Sequence, residues 1–301
     1  MKRMFVFILF AATGILFPQD FNFRWPVDDN TITATFGESR STHFHNGIDI
    51  GGGEQNVYPV DDGEVVYYFE EGNSPGDIPT GLGNFIVVEH GKEVRSVYCH
   101  LKKNSILKSK YNVEKTDCIG LTGSTGFSKG IHLHFSLIDL ESGSLINPLL
   151  FLPKYVDRVS PHIGRIYAVR NGKKIELKNG MSISPGKVRI TAEIYDRITL
   201  RGMEVSPYRI VLKIGKKVVV DIVYDLLKRK NGKTVLSGVD GVFFKDFYTS
   251  GKISEWEVSP GILNLKKGRV ELEISVWEFS RPPASFNGKK SVKTVSLIVS
   301  N

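Results

Sequence analysis

The stretch His132-Leu133-His134-Phe135 sets two histidines two residues apart among apolar side chains. On a strand, side chains alternate between faces, so both imidazoles point to the same side. Ile86-Val87-Val88-Glu89-His90 and Val94 to Leu101 also alternate as strands do. Two further segments carry the same residue types, His45-Asn46-Gly47-Ile48-Asp49 and Tyr98-Cys99-His100-Leu101. Four of the chain's seven histidines lie in these three segments. His45 and Asp49 are four apart, and Gly47 between them permits a bend that aims both at one point. There is no His-Glu-x-x-His pair, so the set is borne on strands and loops rather than on a helix. Two imidazoles and one carboxylate suit a catalytic zinc, because three protein ligands leave a fourth position for water. Two more histidines then remain to handle protons or charge beside that water.

The chain resembles the lysostaphin/LytM-type zinc metalloendopeptidases that cut peptidoglycan peptides. The resemblance runs through Phe36-Gly37-Glu38-Ser39-Arg40, His43 to Ile50, Val60-Asp61-Asp62-Gly63-Glu64-Val65-Val66, Gly83-Asn84-Phe85-Ile86, Tyr98 to Leu101, Ile119 to Gly126, and His132 to Phe135 followed by Asn147-Pro148. These seven blocks, in the family's order, cover about two fifths of the chain, whereas a lone His-x-His would carry little. The resemblance implies that His45, Asp49 and His134 bind one zinc ion and that His100 and His132 are the two catalytic histidines. None of the five is substituted, and relatives that only activate other wall enzymes usually lack some of them. Two departures stand out: Thr116 where the family often has glycine, and Ser136 where it often has glutamate. Neither is expected to touch the metal chemistry. The implied activity is hydrolysis of a peptide bond in peptidoglycan cross-bridges or stem peptides by a zinc-activated water.

The other histidines read differently. His43 falls in a loop at the groove mouth, and a solvated-loop role outweighs substrate contact. His90 precedes a Gly91-Lys92 turn and reads as a strand-end hydrogen bonder. His162 reads as linker surface. The glycine-rich run Gly120 to Gly130 lacks the Gly-Lys-Ser/Thr ending of a phosphate loop, so it reads as turns that return the His132 strand. Glu70 to Leu82 and Lys102 to Asp117 read as loops walling the substrate groove.

Residues 1–17 read as a signal peptide or N-terminal anchor. Met1-Lys2-Arg3 is basic, and Met4 to Phe17 is nearly all apolar but shorter than the about 20 residues of a typical membrane helix. No clean cleavage triplet precedes Pro18, and no lipobox cysteine is present. The expected location is therefore the periplasm or cell envelope. A zinc peptidase domain is expected over 18–153, a linker over 154–164, and a second domain over 165–301. Strand-like runs such as Lys187 to Tyr195, Lys217 to Tyr224 and Arg269 to Trp277, punctuated by Asn-Gly turns, predict an immunoglobulin-like β-sandwich there. The fold class is thus mainly β, a LytM-like antiparallel sheet followed by a sandwich.

Charge divides at the same junction. Residues 1–154 carry 13 Lys and Arg against 18 Asp and Glu, and the remainder carries 27 against 14. A basic β-domain suits an anionic envelope polymer; the alternative is lysines guarding edge strands. Export and the zinc set exclude nucleic acid as the partner. Cys99 neighbours His100 on a strand and is expected to face away from the metal. A Cys99–Cys118 disulfide would close a loop of about 20 residues and contribute roughly 3 kcal/mol; two buried free thiols are the alternative. Two other functions are compatible with the motifs: a non-catalytic envelope regulator that activates another wall hydrolase, and a zinc peptidase acting on exported proteins.

Overall fold

The computed structural model describes residues 22–72, 80–91, 93–155, 157, 159–198, 202–238, 242–248, 257–279 and 289–300, with the backbone of one strand pair, Phe7–Leu9 and Leu16–Pro18. The signal or anchor expected over 1–17 otherwise lies outside the described residues, as does part of the Glu70 to Leu82 loop. No described helix is long and apolar enough to cross a membrane. The chain divides into two compact units, Met1–Phe36 with Asn46–Tyr155, and Gly37–His45 with Val156–Asn301. The short segment Gly37–His45, expected within the first domain, therefore packs with the second.

The first unit is built on one antiparallel sheet. Its strands are β1 (Ile32–Ala34), β2 (Ile48–Ile50), β3 (Gly63–Phe69), β4 (Asn84–His90), β5 (Val94–Leu101), β6 (Leu133–Asp139) and β7 (Leu145–Ile146). The order is β1-β2-β6-β5-β4-β3, and β7 continues the β2 edge of β6. Ile48, Ile50, Ile86, Leu133, Phe135 and Leu137 are fully buried, and Tyr98 packs on Phe135 with ring centroids 5.2 Å apart. His90 ends β4 as a hydrogen-bonding anchor: Nδ1 lies 3.0 Å from Asp62 O and Nε2 2.7 Å from Ser96 Oγ. Lys102 to Asp117 is turns and loops apart from the two-residue strand Asn112–Val113.

The second unit is a two-sheet sandwich. One sheet runs β9-β8-β11-β15, formed by β8 (His162–Arg170), β9 (Lys173–Glu176), β11 (Gly186–Tyr195) and β15 (Glu257–Leu265). The other runs β10-β17-β16-β12-β13-β14, formed by β10 (Met181–Ile183), β12 (Arg209–Ile214), β13 (Lys217–Lys230), β14 (Lys233–Gly238), β16 (Gly268–Trp277) and β17 (Lys290–Val299). The sheets meet closely: a Cβ on Gly261 of β15 would lie 2.7 Å from Val220 Cγ2 of β13. Asn-Gly pairs at Asn171-Gly172 and Asn231-Gly232 have positive φ throughout, as tight hairpin turns require. β8 starts at His162, inside the segment expected to be linker, where His162 stacks on Tyr195.

Gly37–His45 is a small hairpin seated in this second unit. His45 N donates to Glu38 O, Gly37 N to His45 O, and Ser39 bridges Phe44. Phe44 is buried against Phe244 and Tyr248 at 5.3 and 5.9 Å, and Tyr248 Oη donates to Gly37 O at 2.8 Å. Gly37 is obligatory, because its φ is 82° and a Cβ would sit 2.4 Å from the Tyr224 ring.

Three aspartates of this unit are held above the ordinary carboxylate range. Burial, then the neighbouring Asp157, pushes Asp196 up to about 8. Burial pushes Asp157 and Asp225 each up to about 6. A carboxyl whose folded pKa is raised stabilises the fold fully below its unfolded pKa, and that stability is lost as pH rises through the folded value. These three groups should therefore weaken the second unit as pH rises from about 4 through 6 to 8, the window set by the Asp157, Asp225 and Asp196 shifts. Chemical denaturation followed across that range reads the slope, and Asp196→Asn should flatten its upper part.

Candidate metal and catalytic site

The site begins with strand register. In the antiparallel sheet His134 of β6 lies directly opposite Asp49 of β2 on one side and Cys99 of β5 on the other. Directly paired residues project from the same face, so these three side chains stand abreast. One ligand atom each from His45, Asp49 and His134 lie within 4.8 Å of one another. His45 and His134 are buried, and the Asp49 side chain is 14% exposed. His134 Nδ1 faces Asp49 Oδ1 at 2.9 Å, and His132 Nε2 stands 3.9 Å from the same oxygen. The converging donor set of two imidazoles and one carboxylate fits a zinc ion.

His100 and His132 flank this group. Their rings are 4.8 Å apart, and His100 lies 5.9 Å from the His134 ring. Each is oriented through Nδ1: His100 Nδ1 lies 2.8 Å from Thr125 O, and His132 Nδ1 lies 2.9 Å from Gly130 O and 3.3 Å from Ser128 Oγ. A carbonyl can only accept, so both Nδ1 atoms carry the proton and Nε2 is the nitrogen left for chemistry. Burial, opposed by the Thr125 bond, lowers His100 to about 4, so its imidazole is neutral at pH 7.

His100 is placed by a defect in the sheet. Asn84 pairs with Leu101 and Ile86 with Tyr98, so Cys99 and His100 together oppose Phe85. This is a β-bulge, a device that re-aims a side chain. His100 takes φ 61°, a left-handed conformation that costs about 1–3 kcal/mol. His100 N donates to Leu82 O at 2.9 Å, which helps hold it there. The bulge also corrects the expectation for Cys99. Simple alternation would turn it away from the metal face, yet it pairs with His134 and shares that face. Its thiol is buried and pushed well up, by burial first and then by the Asp49 charge, and it is not one of the three converging ligands. Cys99 and Cys118 are both free; Cys118 is exposed, so neither the disulfide nor a pair of buried thiols is present.

Two residues act here in ways the sequence reading missed. Ser136 Oγ lies 3.0 Å from His134 Nε2 and is buried, so it fixes the ring that faces Asp49. The expectation that Ser136 stands apart from the metal chemistry is corrected; the available signal was its two-residue spacing from His134 on the same strand. Gly47 has no positive φ among the residues that show one, so a left-handed bend is not its role. Its role is close approach: a Cβ there would lie 2.3 Å from Phe135 O and 2.6 Å from Ser136 Oγ. His43 is exposed with Nδ1 3.1 Å from Thr42 Oγ1, and partial desolvation, then the Arg40 charge, lowers its pKa.

Comparison with known proteins yields a family model, Peptidase family M23, matching residues 43–148. The murein hydrolase activator NlpD of Escherichia coli is 33% identical over 132 residues, covering 44% of this chain and 31% of that protein. Lipoprotein NlpD of Yersinia enterocolitica is 33% identical over 107 residues, 35% of this chain and 99% of that sequence. The peptidoglycan DD-endopeptidase ShyA of Vibrio cholerae is 34% identical over 126 residues, 38% of this chain and 26% of that protein. Among solved structures, a zinc containing peptidase from Vibrio cholerae is 32% identical over 39% of this chain and 37% of that one, with a TM-score of 0.33. The chain spans about a third of the length of the first curated relatives it matches.

The close approach at Gly47 makes a direct prediction. Gly47→Ala should destabilise the protein by about 1–3 kcal/mol or more, because the added methyl meets backbone that cannot yield cheaply. Thermal unfolding of the purified variant measures this, and an unchanged melting temperature would refute the packing argument.

Proposed function

The chain belongs to peptidase family M23, and from that premise we propose that it is an exported zinc metalloendopeptidase that hydrolyses peptide bonds in peptidoglycan. The observation that carries this reading is the convergence of His45, Asp49 and His134 within 4.8 Å, with His100 and His132 beside them. In this reading His45, Asp49 and His134 hold one zinc. The bound ion would supply a water acidic enough to attack at neutral pH.

The remaining work falls to the chain's own residues. Ser136 orients His134, and the Thr125 and Gly130 carbonyls hold the Nδ1 protons of His100 and His132. The Nε2 atoms of His100 and His132 would then be placed to accept a proton from the attacking water or to donate hydrogen bonds to the oxyanion, depending on protonation. Export follows from the basic-apolar N-terminus and agrees with relatives named as lipoproteins.

A second reading has its own support. The relatives from Escherichia coli and Salmonella carry the name murein hydrolase activator, so a non-catalytic regulator of another wall enzyme is the rival. The complete five-residue set favours catalysis over it. The basic second unit, with 27 Lys and Arg against 14 Asp and Glu from residue 155 onward, is assigned to anionic envelope material.

Three measurements test these assignments. His134→Ala should lose zinc and activity together, read by metal analysis and by mass identification of products from purified peptidoglycan. His100→Ala and His132→Ala should keep zinc and lose roughly 10²–10⁴-fold in turnover. Ser136→Ala should weaken zinc binding about tenfold. Full zinc occupancy with no product from any peptidoglycan would transfer the protein to the regulator class. Separately, the full chain should sediment with purified sacculi at low salt and release as salt rises, since screening weakens exposed charge pairs. Absence of binding at low salt would leave the second unit a structural role.

A further inference from the structure

Phe127 is 92% exposed, the highest value for any large apolar side chain among the described residues, and Ile131 four positions on is 47% exposed. Both stand on the segment that links the two flanking histidines. Thr125 O accepts from His100 Nδ1, while Gly130 O accepts from His132 Nδ1. The segment is fixed by further bonds: Thr125 Oγ1 donates to Leu101 O at 2.8 Å, Asn84 N donates to Thr125 Oγ1 at 2.9 Å, and Phe127 N donates to Gly81 O at 2.9 Å. Gly81 lies under the Phe127 ring, since a Cβ there would be 3.2 Å from Phe127 Cδ2.

A phenyl ring held in water by a fixed backbone adds nothing to the core. It is, however, an apolar contact carried on backbone that is already fixed before a ligand arrives. Because its segment carries the carbonyls that hold His100 and His132, the occupant is the peptide at that site. The identity of that occupant follows from what can cover a phenyl ring. A glycine residue has no side chain to lay on it, whereas a methyl or longer alkyl group does.

We propose that Phe127, supported by Ile131, is a specificity-determining apolar lip that seats a side-chain-bearing residue of the peptide, so that this site favours alanine-bearing stem peptides over all-glycine cross-bridges. The inference rests on the peptidase reading and deepens it by choosing between the two substrate classes.

The test uses the zinc-loaded full chain with fluorescently labelled pentaalanine and pentaglycine as probes, measuring both equilibrium binding and cleavage. Wild type should favour pentaalanine by about tenfold. Phe127→Ser should bring the two peptides to within about twofold through Kd and KM, with zinc content and circular dichroism as in wild type. Phe127→Leu, which keeps an apolar surface, should retain the preference. Equal binding of both peptides by wild type, a preference for pentaglycine, or a preference that survives Phe127→Ser would overturn the proposal. A pentaalanine preference in binding that Phe127→Ser abolishes supports this inference whether or not either probe is cut, and product from purified peptidoglycan, measured in parallel, decides the hydrolase reading separately.

Discussion

The pairing of β2 with β6 is the constraint on which the site depends. It sets Asp49 opposite His134 by backbone hydrogen bonding, so the carboxylate and imidazole meet without any loop having to search for the geometry. The approach is tight enough that the chain just before β2 runs against the backbone of Phe135 and the hydroxyl of Ser136, with no room for a side chain at Gly47. A shift of one residue in this register would turn Asp49 to the opposite face and dismantle the group. The buried Ile48, Ile50, Leu133 and Phe135 resist such a shift, because it would expose them. The apolar core and the polar site are thus fixed by the same pairing.

The flanking histidines depend on irregular backbone instead. His100 is reached through a bulge and a left-handed φ, and His132 enters through an isolated bridge to Gly123 rather than within a strand. Each is then locked by a carbonyl on Nδ1. Such strain persists only when surrounding bonds over-determine it. Here Leu82 O, Thr125 O and Gly130 O supply them. The regular sheet carries the proposed ligands Asp49 and His134, and its defects carry the proposed proton-handling groups.

The second unit has a separate physical character. Its two sheets enclose a full apolar core, yet Asp196 and Asp225 are buried within it and Asp157 is largely desolvated, so its stability is tied to pH. It also includes the hairpin Gly37–His45. Phe44 and Tyr248 pack that hairpin into the unit's own core.

Strand alternation in Val94 to Leu101, the paired histidines at 132 and 134, and the Asn-Gly turns were enough to establish a mainly β chain. The three His- and Asp-bearing segments offered His45, Asp49, His100, His132 and His134 as candidates, and the resemblance to the lysostaphin/LytM-type family implied their roles. These signals are local, since residue type and short spacing are written directly in the chain. Four other features came only with the tertiary structure: the bulge that puts Cys99 on the face of His134, the contact of Ser136 with the His134 ring, the crowding that makes Gly47 obligatory, and the membership of Gly37–His45 in the second unit. Each arises between segments far apart in sequence, or from a backbone conformation that breaks the regular period. A period-two reading assumes an unbroken strand, and nothing in Tyr98-Cys99-His100-Leu101 announces the extra residue that the pairing with β4 must absorb.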